Sequence, residues 1–192
     1  MDIVLATSNE HKVKEMNFIV KDSRINFILP PKGFDPEENG LTFEENSLIK
    51  AKSAWEISHT WTLADDSGLC IEALNGAPGI YSARYAETPQ KRIDRVLKEL
   101  EGCENRKAEF NCAMTLINPK GEVEFAYKGV CEGSIVTKQR GINGFGYDPI
   151  FLLKNSDKTM AELSENEKNK LSHRAKALEK VLEYINKKSI CI

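Results

Sequence analysis

Two carboxylates stand side by side in Leu63-Ala64-Asp65-Asp66-Ser67-Gly68-Leu69, between the apolar runs 61–64 and 69–74. By pattern, a strand feeds an acidic pair and then a Ser-Gly turn, which puts charge at a strand end. Charge there needs a partner, because a buried unpaired carboxylate is costly. One chemistry is a Mg²⁺ site, since hard cations take carboxylate oxygens. The other reading is an acidic turn in which Asp, Ser and Gly serve backbone geometry. Three more segments carry groups suited to phosphate or base. In Thr7-Ser8-Asn9-Glu10-His11-Lys12, a polar turn opens a helix. Free backbone N–H groups and the helix dipole there favour an anion, and Lys12 can reach a phosphate. A plain N-cap before a solvated helix face is the alternative. An acidic stretch with Asp35, Glu37 and Glu38 precedes Asn46 and Lys50. These last two are four apart and share one helix face, outward unless something anionic covers it. Finally, Gly144-Phe145-Gly146-Tyr147-Asp148-Pro149 holds two aromatics between glycines, and Lys168, His173 and Arg174 follow.

The elements that must position these groups alternate between strand and helix. Residues 2–6 read as a buried strand, 10–20 as a helix, and 25–29 as a second strand. Residues 30–40 form a loop rich in Pro, Gly, Asp and Asn. Thr42 and Glu45 fit a capping box, opening a helix of about four turns to Ser58. Strands at 61–65 and 68–74 flank the acidic turn. Thr88-Pro89 starts another helix with Pro at its first position, and Gly102 is a plausible stop. Residues 107–117 and 122–133 read as two long strands of a hairpin, and 150–153 as a last one. Ser164 with Glu167 is a second capping box, and Leu171, Ala175, Leu178, Leu182 and Ile185 mark an apolar stripe. Lys168 and Arg174 are six apart, so on a straight helix they point apart. They converge only if the helix breaks, and Ser172 can be the N-cap of a new one.

The 192 residues suit one domain, and 41% hydrophobic residues can build a core. A net charge of −2 argues against a dedicated nucleic-acid binder. Five cysteines, Cys70, Cys103, Cys112, Cys131 and Cys191, form no C-x-x-C pair, so neither zinc nor a disulfide framework is indicated. No signal peptide and no run of membrane-spanning length is visible, so a cytoplasmic protein with no membrane partner is expected.

Taken in order, six motifs resemble those of the inosine triphosphate pyrophosphatase family, the dITP/XTP pyrophosphatases, over nearly the whole chain. They are residues 6–12, Leu41-Thr42-Phe43-Glu44-Glu45-Asn46, Asp65-Asp66-Ser67-Gly68-Leu69, residues 76–84 ending in Ser82-Ala83-Arg84, Gly144-Phe145-Gly146-Tyr147-Asp148-Pro149, and Glu167-Lys168-Asn169 with Ser172-His173-Arg174. The resemblance implies an α/β fold with a long, twisted mixed β-sheet, flanking helices, and two lobes of one domain with a central substrate cleft. It implies Mg²⁺-dependent hydrolysis of deaminated purine nucleoside triphosphates to the monophosphate and pyrophosphate, by a homodimer. Carried over, Thr7, Asn9, Lys12 and Lys50 hold the triphosphate, and Ser8, Glu10, His11, Ser67 and Arg84 touch substrate. Asp66 is the proton acceptor. Glu38, with Glu37 beside it, joins Asp65 and Asp66 as metal carboxylates. Phe145, Gly146, Tyr147, Asp148, Lys168, His173 and Arg174 form the base and sugar pocket. As aromatic rings, Phe145 and Tyr147 could stack on the base. Ser8 stands where many relatives carry glycine; a positive φ there would strain it. A pyrophosphatase for modified pyrimidine nucleotides and a nucleotide sensor without turnover are the alternative functions.

Overall fold

The computed structural model describes residues 1–20 and 24–188, with the His11 side chain outside the described set. Cys191 also lies outside it. Six strands form one mixed sheet in the order β2-β1-β3-β4-β5-β6. They are β1 (Asp2–Leu5), β2 (Asn26–Ile28), β3 (Thr62–Ile71), β4 (Lys107–Ile117), β5 (Val123–Ile135) and β6 (Phe151–Leu153). The helices are α1 (Glu10–Ile19), α2 (Phe43–Ser58), α3 (Pro89–Glu99), α4 (Glu165–Leu171) and α5 (His173–Lys187). No described helix is long and apolar enough to cross a membrane. The chain divides into two compact units.

The first unit comprises Met1–Asp66, Cys112–Lys128 and the described residues from Ala177 onward. Strand β1 pairs in parallel with β2 and with β3, matching Ile3 to Phe27 and Val4 to Thr62. Parallel strands covered by helices read as continuous apolar runs, and Ile3, Val4 and Leu5 are all buried. One apolar cluster joins Ile3, Leu5, Met16, Phe27, Leu63 and Met114 to Leu178, Val181 and Ile185 of α5. A second packs Ala51 and Ala54 of α2 on Val4, Ala6 and Ala64. The edge strand β2 leaves backbone groups without a ladder partner. Asn17 of α1 satisfies two: its Nδ2 donates to Phe27 O at 2.8 Å, and its Oδ1 accepts from Phe27 N at 2.7 Å. Thr42 caps α2, accepting from Glu45 N, while the Glu45 carboxylate takes the N–H of Leu41.

The second unit comprises Ser67–Asn111 and Gly129–Lys176, around a core of Leu69, Ile71, Val96, Leu100, Phe110, Tyr147, Phe151 and their neighbours. Strand β5 pairs antiparallel with β6, Ser134 opposite Leu152. Thr88 caps α3 with Pro89 in its first turn. The helical C-terminal third breaks where the spacing of Lys168 and Arg174 demanded. Ser172 is extended, at φ −66° and ψ 153°, and its Oγ accepts from Ala175 N at 3.1 Å, capping α5. Because of this break, Leu171 leaves the expected apolar stripe and is exposed.

The path of the acidic segment also differs from expectation. The acidic pair is not a turn between two strands; β3 runs unbroken through Asp65-Asp66-Ser67-Gly68. Asp, Ser and Gly disfavour strands only as isolated propensities, and context overrides them. Here each carboxylate finds a lysine, which offsets part of the penalty for burying it in a ladder.

Candidate active site

Successive strand residues point to opposite faces, and β3 sends its two acids to different helices. Asp65, only 1% exposed, meets Lys12 of α1, with Nζ 2.6 Å from Oδ1. Asp66 meets Lys50 of α2, with Nζ 2.7 Å from Oδ1. The face holding Asn46 and Lys50 is thus buried because an anion does cover it. Asn46 Nδ2 donates to Asp66 Oδ2 at 3.4 Å, and its Oδ1 accepts from Gly40 N at 2.9 Å. That second bond ties the acidic loop to α2. From this loop Glu38 Oε1 approaches Lys50 Nζ at 3.5 Å, while Glu37 is exposed. Beneath them Ser47 Oγ bonds Thr115 Oγ1 at 2.9 Å and the carbonyl of Ala64 at 3.2 Å.

The charges in this cluster shape one another. Burial lifts the Asp66 carboxyl above its ordinary value and Glu38 adds to the rise; Lys50 and the Asn46 hydrogen bond pull against it without cancelling it. Burial works to lower the Lys50 ammonium, but Asp65, Asp66 and Glu38 more than offset it and hold the group above the usual lysine value. In the turn before α1, Thr7 Oγ1 accepts from Asn9 N at 3.1 Å. Ser8 and Glu10 are exposed. Ser8 is absent from the non-glycine residues with positive φ, which are His59, Asn75 and Asn155 among those described, so serine is unstrained there.

No three His, Cys, Asp or Glu side chains gather into a metal-binding group among the described residues. Glu38 and Asp66 do meet, at Lys50, whereas Asp65 is turned to Lys12. Mg²⁺ is usually held by one or two carboxylates plus substrate phosphates. The Glu38–Asp66 pair fits that count.

The second unit carries the aromatic loop. Asp148, 4% exposed, accepts from Phe145 N at 2.8 Å and from Lys168 Nζ at 2.5 Å, both on Oδ2. Gly144 makes this possible: its φ is +77°, and a Cβ there would fall 2.1 Å from Asp148 Oδ2. The Phe145 ring is 59% exposed, with Lys168 Nζ 4.3 Å and the Arg174 guanidinium carbon 5.7 Å from its centroid. Lys168 and Arg174 therefore do converge on one ring. His173 stacks on Phe110 at 4.9 Å. Tyr147 is not a second stacking platform. Its ring lies in the core, its hydroxyl donates to Ser82 O at 2.9 Å, and burial pushes its pKa up to about 12. Ser67 is half-buried in β3, Gly146 has φ +62°, and Arg84 is exposed over the Tyr81 ring.

Sequence reasoning missed Ser82. Its Oγ accepts from Leu69 N at 2.9 Å and bonds Gly79 O, while its carbonyl takes Tyr147. Ser82 stands in the motif of residues 76–84, but its residue type gives no sign that it ties Leu69, Gly79 and Tyr147 together.

The model of the Ham1 family matches residues 3–184. A dITP/XTP pyrophosphatase of Desulfotalea psychrophila is 48% identical, over 93% of this chain and 82% of its own. One of Synechococcus sp. is 44% identical, over 94% and 91%. Among solved structures, a HAM1 protein from Coxiella burnetii superposes with a TM-score of 0.89 at 43% identity, covering 97% of this chain and 99% of that one.

Proposed function

The chain belongs to the Ham1 family, and from that membership we propose that it is a nucleoside triphosphate pyrophosphatase acting on deaminated purine nucleotides, ITP, dITP and XTP. The observation that carries the chemistry is Asp66, a buried carboxylate held by Lys50 and Asn46 beside the loop acid Glu38.

Each cluster, taken by itself, suits one chemical group of such a substrate. In the first unit, Thr7, Ser8, Asn9 and Glu10 frame the turn before α1, and Lys12 and Lys50 supply positive charge for the phosphate oxygens. Glu38 and Asp66 would hold Mg²⁺, while Asp65, turned to Lys12, stays outside that pair; when bound, the ion would neutralise phosphate charge and acidify water. Asp66 accepts the proton of a water whose oxygen bonds the α-phosphorus. The bridging bond from the α-phosphorus to the oxygen of the β-phosphate breaks, and pyrophosphate leaves. Burial suits Asp66 to this role, because a base works best with a pKa moved toward the working pH.

In the second unit, Phe145 offers an exposed ring face for a base. Arg174 can donate to the keto oxygen of hypoxanthine or xanthine, while the amino group of adenine would face it donor to donor. Polar mismatches of this kind discriminate by about 10⁴-fold or more. Asp148 fixes Lys168 and the loop, and His173, Ser67, Gly146 and Arg84 complete the set assigned to substrate.

A triphosphate panel scored for pyrophosphate against orthophosphate tests the proposal. ITP and XTP should yield pyrophosphate well ahead of ATP and modified pyrimidines. Asp66→Asn should lower the rate by about 10²–10⁴-fold with the fold intact, and Arg174→Ala should erode the preference for ITP over ATP. Orthophosphate as the product, binding without turnover, or an unaltered preference in Arg174→Ala would each refute the corresponding assignment.

A further inference from the structure

Within the first unit, the two carboxylates suited to a divalent ion already share a cation. Lys50 Nζ lies 2.7 Å from Asp66 Oδ1 and 3.5 Å from Glu38 Oε1, on a side chain only 9% exposed. The three groups differ in their freedom to move. Asp66 is fixed in the interior of β3, and Asn46 holds its second oxygen. The loop of Glu38 is pinned to α2 by Gly40 N to Asn46 Oδ1 at 2.9 Å and Leu41 N to Glu45 Oε2 at 2.6 Å. The approach at Gly40 is so close that a Cβ would fall 2.7 Å from Asn46 Oδ1. Lys50 alone reaches the cluster on a flexible four-carbon stem.

We infer that Lys50 is a resident counter-ion for Glu38 and Asp66 that must be drawn off by a polyphosphate before a divalent metal can take those oxygens. A metal arriving alone meets an ammonium on its ligands. A polyphosphate offers that ammonium a stronger partner and brings oxygens of its own to the metal. The two ligands are therefore positively coupled, and by linkage each strengthens the other. The inference rests on the reading of this cluster given above, and it assigns Lys50 a second role, in the order of assembly.

The test reads metal binding without turnover. Mn²⁺, visible by electron paramagnetic resonance, is titrated into the full chain with no nucleotide present. Lys50→Met should bind Mn²⁺ about tenfold or more tighter than the wild type, within the usual range of coupling. Lys50→Arg, which keeps the charge, should stay at the wild-type affinity. An unchanged or weaker affinity in Lys50→Met, or an equal gain in Lys50→Arg, overturns the inference. Should Lys50→Met not fold, lysine Nζ resonances of the wild-type chain decide, with the Lys50 signal assigned by its loss in Lys50→Arg. Mg²⁺ alone should leave that signal in place and inorganic tripolyphosphate should move it; a displacement by Mg²⁺ alone overturns the inference. A chain that releases pyrophosphate from ITP but shows no gain in Lys50→Met refutes this inference alone. A chain that shows the gain but releases none refutes only the function proposed above.

Discussion

At the scale of residues, the chemistry rests on one carboxylate whose neighbours push in opposite directions. Burial and Glu38 raise the Asp66 pKa; Lys50 and Asn46 lower it; the balance stays above the ordinary aspartate value of 3.8. A base must be ionised to accept a proton, so activity should fall as pH drops through a value higher than that of a free aspartate. The sign of each neighbour predicts the shifts. Glu38→Gln removes a negative charge and should move the acid limb of kcat/KM to lower pH. Asn46→Ala removes a hydrogen bond to the charged form and should move it higher. A pH–rate series on the residual activity of both variants checks this, and shifts of the same sign would remove Asp66 from the role of titrating base.

At the scale of elements, the break between α4 and α5 does the positioning in the second unit. Ser172 ends one helix and caps the next, which lets Lys168 and Arg174, six residues apart, both reach the Phe145 ring. Ser172→Ala deletes the cap and should cost about 1 kcal/mol, seen as a lower Tm. It should also raise KM for ITP with little change in kcat, since the proton acceptor lies in the other unit. An unchanged KM beside a lowered Tm would make Ser172 a matter of stability alone. This break was legible beforehand because two required contacts conflicted with the period of a straight helix. The path of β3 was not legible. Its local composition favours a turn, and only the lysines of α1 and α2 make a strand tolerable there.

At the scale of the whole molecule, the mixed six-stranded sheet and its helices agree with the fold class that the resemblance implies. We propose that the chain acts as a homodimer, as the resemblance implies. Light scattering should return twice the 21.6 kDa chain mass, and a single-chain mass would refute it. The sequence by itself determined the elements, since caps, periodicity and breakers act within a few residues of one another. It also determined the inventory of chemical groups, since ordered motifs retain residue types. Only the tertiary structure decided which group faces which: Asp65 toward Lys12, Asp66 toward Lys50 and Glu38, and Tyr147 into the core rather than toward a ligand. Those outcomes depend on contacts between residues tens of positions apart. Burial and Coulomb energies at such contacts are set by the packing of whole elements, which no local pattern records.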